Sequence, residues 1–405
     1  MIKKDKKIEF GILTCSNDYE QILNLNKEIY TKIQKEFGNF CILNLSNLKL
    51  FKKKDFSRTP NYIFSNIKIY KPRNAQELKE IFQNKTLIAF NNLGKSFSFF
   101  KIYFYLKKIN LKQILLMNIG YLENKVSLDL KNKSIFFTSA LFFLRKKFIY
   151  YIFRILTILG IFPKIDIYFE SKKNIVKAVK SGLSSQIEKL LPFTKLSYFR
   201  KVYTINSRAF NIIKKNNISN RYLCFIDSNF CALDRVLREG KINDKDKKLY
   251  YYYLKKLFLE LQKIFKKKMI ICIHPKNNDK FFFSYFKKFR IKKYETSKII
   301  SKSSIVLFHD SSAITDAILQ KKNIISLNSE LLGNYLNNST KLYSKILGTQ
   351  SIELDKNYQL NKIELIKKLN FTKKKMNFYA KNNLKNDGNR LGKDKIVDII
   401  KKEFL

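Results

Sequence analysis

Residues 304–327 read SIVLFHDSSAITDAILQKKNIISL, and their pattern decides the fold. Ser304 to Phe308 is a short apolar run, Ser312 to Leu319 carries apolar residues at helical spacing, and Asn323 to Leu327 is apolar again. Strand, helix and strand with a few residues between them predict a βαβ unit with a right-handed crossover. Working back from it, the same alternation predicts strand Tyr222 to Ile226, helix Lys245 to Lys267, strand Met269 to Ile273, helix Asp279 to Phe289 and strand Ile291 to Tyr294. A short helix follows Thr296-Ser297. These elements make a doubly wound domain, whose ligand-facing loops lie at the carboxyl ends of the strands.

The first half repeats the logic less cleanly. Ile8 to Leu13 predicts a strand, Ile22 to Phe37 a helix and Phe40 to Leu45 a second strand. Thr86 to Phe90, helix Phe97 to Leu106, Gln113 to Asn118 and Ile165 to Phe169 continue the alternation, the last followed by the helical SKKNIVKAVKSG. The fold class is thus α/β, with two Rossmann-type doubly wound parallel-sheet domains and a helical C-terminal tail. The pattern places an N-terminal domain over residues 1–205, a C-terminal domain over 206–358 and the tail over 359–405, where lysine-rich helices are broken by NDGNRLG.

A chain of 405 residues, 45% of them hydrophobic, is long enough for two or three cores, so small stapled scaffolds and disordered tails are excluded. The five cysteines are odd in number, scattered and without a Cys-x-x-Cys pair, which predicts a reduced protein with no zinc ribbon. The segment MIKKDKKIEFGIL lacks the apolar stretch of a secretory signal, and the expectation is a cytoplasmic protein. Lys plus Arg number 81 against 32 Asp plus Glu, a formal net charge of +49 that must attract anions. The lysines are spread along nearly every segment rather than clustered, so nucleic acid is not the expected partner. Nucleotide phosphates, acidic saccharides and anionic lipid are.

Residues 135–162, IFFTSALFFLRKKFIYYIFRILTILGIF, are the most hydrophobic of the chain, yet Arg145, Lys146, Lys147 and Arg154 interrupt them and the longest uncharged run is ten residues. That is too short to span a bilayer. Two readings stay open. The segment is either a buried helix with snorkelling cations or an interfacial one, attaching the protein peripherally to the inner face of an anionic membrane.

Chemistry centres on the only two histidines: His274 ends IICIHP and His309 ends SIVLFH, both at predicted strand ends. An imidazole there can donate to a phosphate oxygen, and Pro275 constrains the turn that aims it. Ser311 and Ser312 open a predicted helix, where hydroxyls and backbone N–H groups suit an anion; plain helix capping by Asp310 or Ser311 is the compatible alternative. Other signatures fail. Asn91-Asn92-Leu93-Gly94-Lys95-Ser96 supplies only the end of a phosphate-binding P-loop, because its first glycine is missing: Ala89 stands at that position. With eleven glycines there is no dinucleotide fingerprint, no nucleophile elbow occurs, and two histidines 35 residues apart without an ordered carboxylate pair make no recognisable metal site. No cofactor and no metal are expected.

CIHPKNN (272–278) and SSIVLFHDSSAITDAILQKKNIISL (303–327) resemble the His-Pro and Ser-Ser motifs of bacterial sialyltransferases, polysialyltransferases and related capsule and teichoic-acid transferases of the GT-B type. YLCFIDSNF (222–230) resembles the first strand and loop of that domain in capsule-biosynthesis relatives. The resemblance is clearest over residues 221–330 and covers about a quarter of the chain well. It implies two domains facing a cleft, and a metal-independent glycosyltransferase of cell-surface polysaccharide synthesis. The partners implied are a nucleotide-sugar donor, CMP-linked sugars among the candidates, and a glycan or lipid-linked acceptor. His274, Pro275, His309, Ser311 and Ser312 then fall to the donor nucleotide and its phosphate, with His274 also catalytic.

The acidic motif that supplies the general base in such sialyltransferases has no evident copy in the first half. Asp18, in CSNDYE after the first strand, is the best-placed carboxylate, with a solvated loop residue or helix cap as its plainer reading. The missing motif leaves a non-catalytic glycan- or nucleotide-binding shell as an alternative, and a CDP-glycerol-type phosphotransferase is another.

Overall fold

The computed structural model describes residues 7–49, 67–117, 148–149, 151–172, 199–213, 219–229, 243–275, 277–355, 373–385, 388 and 390–405. The chain divides into two compact units, one of residues 1–118, 142–206 and 386–405, the other of 119–141 and 207–385.

In the first unit, β1 (Lys7–Thr14), β2 (Phe40–Asn44), β3 (Lys68–Tyr70), β4 (Lys85–Asn91), β5 (Leu111–Met117), β6 (Ile165–Glu170) and β7 (Phe199–Thr204) form one sheet. Its order is β3-β2-β1-β4-β5-β6-β7 and every pairing is parallel. Alternate side chains feed two cores. Phe10, Ile12, Ile42 and Phe90 pack with α1 (Tyr19–Leu25) and α2 (Lys27–Phe37) on one face, while Leu13, Leu43, Leu87 and Ala89 join the other. On that second face lie α3 (Ala75–Ile81) and α4 (Phe100–Leu106), through Leu78, Ile102 and Leu106. β1 and β2 approach so closely at Gly11 that a Cβ there would lie 2.7 Å from Cys41 Sγ.

In the second unit, β8 (Tyr222–Ile226), β9 (Lys268–Cys272), β10 (Arg290–Lys292), β11 (Ser303–Phe308), β12 (Asn323–Asn328) and β13 (Gln350–Glu353) take the order β10-β9-β8-β11-β12-β13, again all parallel. In both sheets the strand order thus reverses at the centre, where β1 lies beside β4 and β8 beside β11, all strands staying parallel. A crevice at the carboxyl ends of such a pair is where doubly wound folds hold ligands.

The longest helix in the second unit, residues Asp244–Phe265, is capped by Asn243, whose side chain accepts from Asp246 N, with Asp244 and Asp246 in the first turn against the helix dipole. It buries Tyr250, Tyr251, Leu254, Leu257, Phe258 and Leu261, spaced as one helical face, against Leu223, Phe225, Ile271 and Leu307. Each such side chain contributes roughly 1.5–3 kcal/mol of burial.

Several boundaries differ from the sequence expectations. The single helix over Ile22 to Phe37 is two, broken at Asn26, which starts the second helix by accepting from Ile29 N and Tyr30 N. The expected helix over Asp279 to Phe289 is Lys280–Tyr285, and that over Ser312 to Leu319 is Ile314–Leu319. Strands β3, β7 and β13 were not anticipated; β3 (KIY) and β7 (FRKVYT) carry cations and half-exposed positions, as edge strands do, so they show no apolar run. The tail is helical but not one piece. Lys373–Asn383 packs Met376 and Tyr379 into the second unit, whereas Gly392–Phe404 buries Ile396, Val397, Ile399 and Ile400 in the first.

Of 135–162, residues 135–147 and 150 lie outside the described residues, as do 173–182 of the helix expected after β6. The helix over 151–158 buries Phe153 against Phe100, Tyr103 and Phe162 and leaves Ile155 exposed, so it is half a core helix and half a surface one. Among the described residues no helix is long and apolar enough to cross a membrane.

Candidate functional site

The loops leaving β8, β9 and β11 form the best-built polar cluster of the second unit, and Asp227 is its hub. This carboxylate follows β8 directly and is only 4% exposed. Its Oδ2 accepts from the backbone N–H of His274 at 3.1 Å and from Asn277 Nδ2 at 2.9 Å, and its Oδ1 accepts from Asn229 N at 3.0 Å. Buried carboxylates are tolerated when donors surround them, and N–H donors to a charged acceptor make strong bonds. The next residue, Ser228, accepts from Asp310 N through Oγ at 3.2 Å, tying the β8 loop to the β11 loop across the switch point.

The His-Pro turn is held from both sides. His274 C=O accepts from Asn277 N at 2.9 Å, Asn277 Oδ1 accepts from Asp279 N at 3.0 Å, and Asp279 caps the next helix through Phe281 N. Lys247 and Tyr251, from the long helix, close on Asp279 at 2.5 and 3.2 Å. His274 and Pro275 are half-buried, with their turn fixed and a face toward solvent.

After β11, Ser311 and Ser312 are half-buried in a turn rather than in a helix. Ser311 O accepts from Ile314 N and Ser312 O from Thr315 N, both at 3.2 Å. The helix starts at Ile314 and is six residues long, and its N-cap is Ala313, so the expected helix-terminus field and serine cap are replaced by a turn of hydroxyls and amides. Among the described residues the backbone N–H groups of Ser311 and Ser312 make no hydrogen bond, and with the two hydroxyls they are donors suited to an anion.

His309 behaves differently from His274. It is 2% exposed, its Nε2 lies 2.7 Å from Tyr250 OH, and its Nδ1 bonds the Leu327 carbonyl. A carbonyl can only accept, so Nδ1 carries the proton and Nε2 accepts from the tyrosine. Both ring nitrogens are engaged, so the expected contact of His309 with donor phosphate gives way to a supporting position: it pins the end of β11 to the long helix and to β12.

In the first unit, the residues after β1 gather around Asn44 at the end of β2. Asn44 Nδ2 donates to Tyr19 OH at 2.6 Å and Asn17 Oδ1 at 2.7 Å, while its Oδ1 accepts from Ser46 N at 3.0 Å. Asp18 is exposed in this loop, its N–H donating to Ser16 Oγ at 3.1 Å. A second carboxylate at a strand end, Glu170 after β6, is 3% exposed, and burial holds its carboxyl above the usual range. Tyr168 OH donates to its Oε2 at 2.5 Å, and Ser171 N and Lys172 N to its Oε1, so it is a braced, interior group. Lys95, in the loop after β4, has its pKa lowered to about 8 by burial and by the neighbouring charge of Arg154. Among the described residues no group of three or more metal-ligating side chains gathers.

Sequence reading missed Asp227, Asn277 and Tyr250. Only Asp227 had a local signal, an acidic residue directly after an apolar run.

The two units together define a GT-B-like class of fold, two Rossmann-type domains in one chain. A solved structure of a variant of the wall teichoic acid polymerase TagF is similar to this chain over 98% of it and 89% of that chain, with 15% identity and a TM-score of 0.51. Weaker likenesses are to the Methanocaldococcus jannaschii UDP-GlcNAc 2-epimerase (14% identity, 98% and 99% covered, TM-score 0.44) and the calicheamicin glycosyltransferase CalG4 (7%, 99% and 100%, 0.46). At these identities the likeness is one of fold. The chain matches no protein-family model, and no curated protein matches it.

Proposed function

We propose that the protein is a glycosyltransferase that moves a sugar from a nucleotide-activated donor, CMP-linked sugars among the candidates, to a glycan or lipid-linked acceptor of the cell surface, working at an anionic membrane. The observation that carries this reading is the bracing of three loops at one switch point, β8 to β9 through Asp227 and β8 to β11 through Ser228. His274, Pro275, Ser311 and Ser312 form the donor-phosphate side of the site, and Asp18 supplies the base.

In this mechanism Asp18 takes the proton of the acceptor hydroxyl as its oxygen bonds to the anomeric carbon. The bond from that carbon to the nucleotide phosphate breaks, and the charge left on the phosphate is met by the His274 imidazole and the hydroxyl and N–H groups of Ser311 and Ser312. Because those donors are positioned before the ligand arrives, little reorganisation is required during transfer.

A second reading, transfer of glycerol phosphate from CDP-glycerol with release of CMP, is favoured by the likeness to a wall teichoic acid polymerase. One experiment serves both: thermal unfolding of wild type and His274→Ala with CMP, CDP, UDP, GDP and ADP. A ligand that binds only the folded protein raises its melting temperature by mass action. The expected result is a shift with a cytidine or uridine nucleotide that is lost in the variant, whose own unfolding is little changed; turnover assays with the matching sugar or glycerol donor then separate the two readings. No shift with any nucleotide would overturn the donor site.

A further inference from the structure

At the opposite edge of the first sheet, where strands begin, a cavity of about 540 Å³ is lined by Lys107, Lys164 and Arg200 over an apolar floor of Ile158, Phe162 and Phe199. Topology assembles it. Lys107 ends the helix before β5, Lys164 immediately precedes β6, and Phe199 and Arg200 open β7. Arg200 has Asp166 at 3.4 Å, whereas among the described residues neither Lys107 nor Lys164 has an ion-pair partner.

The helix over 151–158 runs to the rim of this cavity. It stops at Gly160, whose φ of 75° lets Gly160 N bond Thr157 O while Ile161 N and Phe162 N return to Leu156 O. That turn places Phe162 inside, 2% exposed, and leaves Leu159 67% and Ile161 40% exposed beside it. Ile155, 54% exposed, lies four residues before Leu159 on the same helical face, and Phe148, ahead of the helix over 151–158, is 60% exposed. A cationic pocket with an apolar floor, in which Arg200 is paired with Asp166, thus adjoins an exposed apolar helix face.

The geometry points to an anionic phospholipid of a bilayer as the occupant, with its headgroup phosphate among Lys107, Lys164 and Arg200 and its acyl chains along the face of Ile155 and Leu159. A free phosphate would have no use for the floor or the helix face, and a nucleic-acid backbone would leave both in water. The site lies at the amino edge of the first sheet, away from the edge that carries Asp18. It rests on the reading that the protein works at an anionic membrane, and not on the donor assignment, so vesicle binding and nucleotide binding fail separately.

The test is flotation of the full chain with vesicles of phosphatidylcholine alone and of equal parts phosphatidylcholine and phosphatidylglycerol. Four proteins are compared: wild type, K107E/K164E, I155S/L159S, and K373E/K374E as a charge-matched control on exposed lysines of the other unit, each checked for unchanged thermal unfolding. Wild type binds the anionic vesicles only, and K107E/K164E lowers that partitioning about tenfold or more, since each cation near such a surface has a sizeable effect. K373E/K374E changes it by less than about threefold. I155S/L159S binds at low salt but is released at about 0.5 M salt, where screening removes the attraction between exposed charges and wild type stays bound.

Absence of wild-type binding overturns the membrane reading itself. Equal loss from the pocket pair and the control pair leaves that reading standing and overturns the pocket. Thermal stabilisation by soluble glycerol phosphate without vesicle binding would make the cavity a free-phosphate site and overturn the bilayer.

Discussion

The two units close their central strands with polar hubs of different character. In the second, the hub is a buried carboxylate: Asp227 receives hydrogen bonds from residues two, 47 and 50 positions away and so sets the backbone of the His-Pro turn. In the first, the hub is a neutral amide. Asn44 braces Asn17 and Tyr19, but Ser16 and Asp18 stand exposed just beyond it. A charged acceptor with N–H donors holds geometry more firmly than amide and hydroxyl contacts do. The contrast suits a proposed donor side that meets the same phosphate in every cycle and an acceptor side that receives a more variable partner.

The sharpest way to break this comparison is Asp227→Ala. It strands a backbone N–H of His274, that of Asn229 and the Asn277 amide, and is expected to cost about 3 kcal/mol or more in urea unfolding of the second unit. Nucleotide stabilisation should vanish with it. A loss below about 1 kcal/mol would show that the loops hold their form without the hub.

Asn44→Ala should do less, about 1–2 kcal/mol, because the buried amide is neutral and its half-exposed partners Asn17 and Ser46 can turn to water. It should leave the nucleotide response intact, since the proposed donor groups lie in the other unit. Loss of that response would break the separation of roles.

The smallest effect concerns pH. Lys95 has a pKa of about 8 in the folded protein against 10.5 for the ordinary side chain. Between these values the unfolded chain binds more protons, so stability rises with pH from about 8 to 10.5 and is lost as pH falls through 8. Lys95→Met should flatten that rise in a pH series of denaturation curves, modestly, because the side chain is half-exposed and screened. An unaltered slope would place the ammonium in water.

Much of the second unit was legible because parallel strands covered on both faces read as continuous apolar runs: YLCFI, MIIC, SIVLF and NIISL coincide with β8, β9, β11 and β12 to within a residue or two. Edge strands such as KIY and FRKVYT were not, since half-exposed strands mix cations with apolar residues. In the site, both histidines fell at strand ends in the sequence, with His274 set apart only by the proline after it and by the resemblance. Packing separated them, leaving His274 at the surface of a braced turn and His309 in the core between Tyr250 and Leu327. Asp227 carried only the signal of an acidic residue after an apolar run, which does not tell its role, because that role exists through partners that the sheet brings beside it.

What the chain determined by itself was the alternation of buried strands and amphipathic helices, and with it two α/β units and the polar residues at the strand ends. Those are local properties, set by hydrophobic period and turn chemistry. The order of the strands, the switch points, the division of the tail between the units and the choice of which histidine stays accessible were decided only in three dimensions. They depend on which strands pair and on where buried polar groups find partners, and both are non-local.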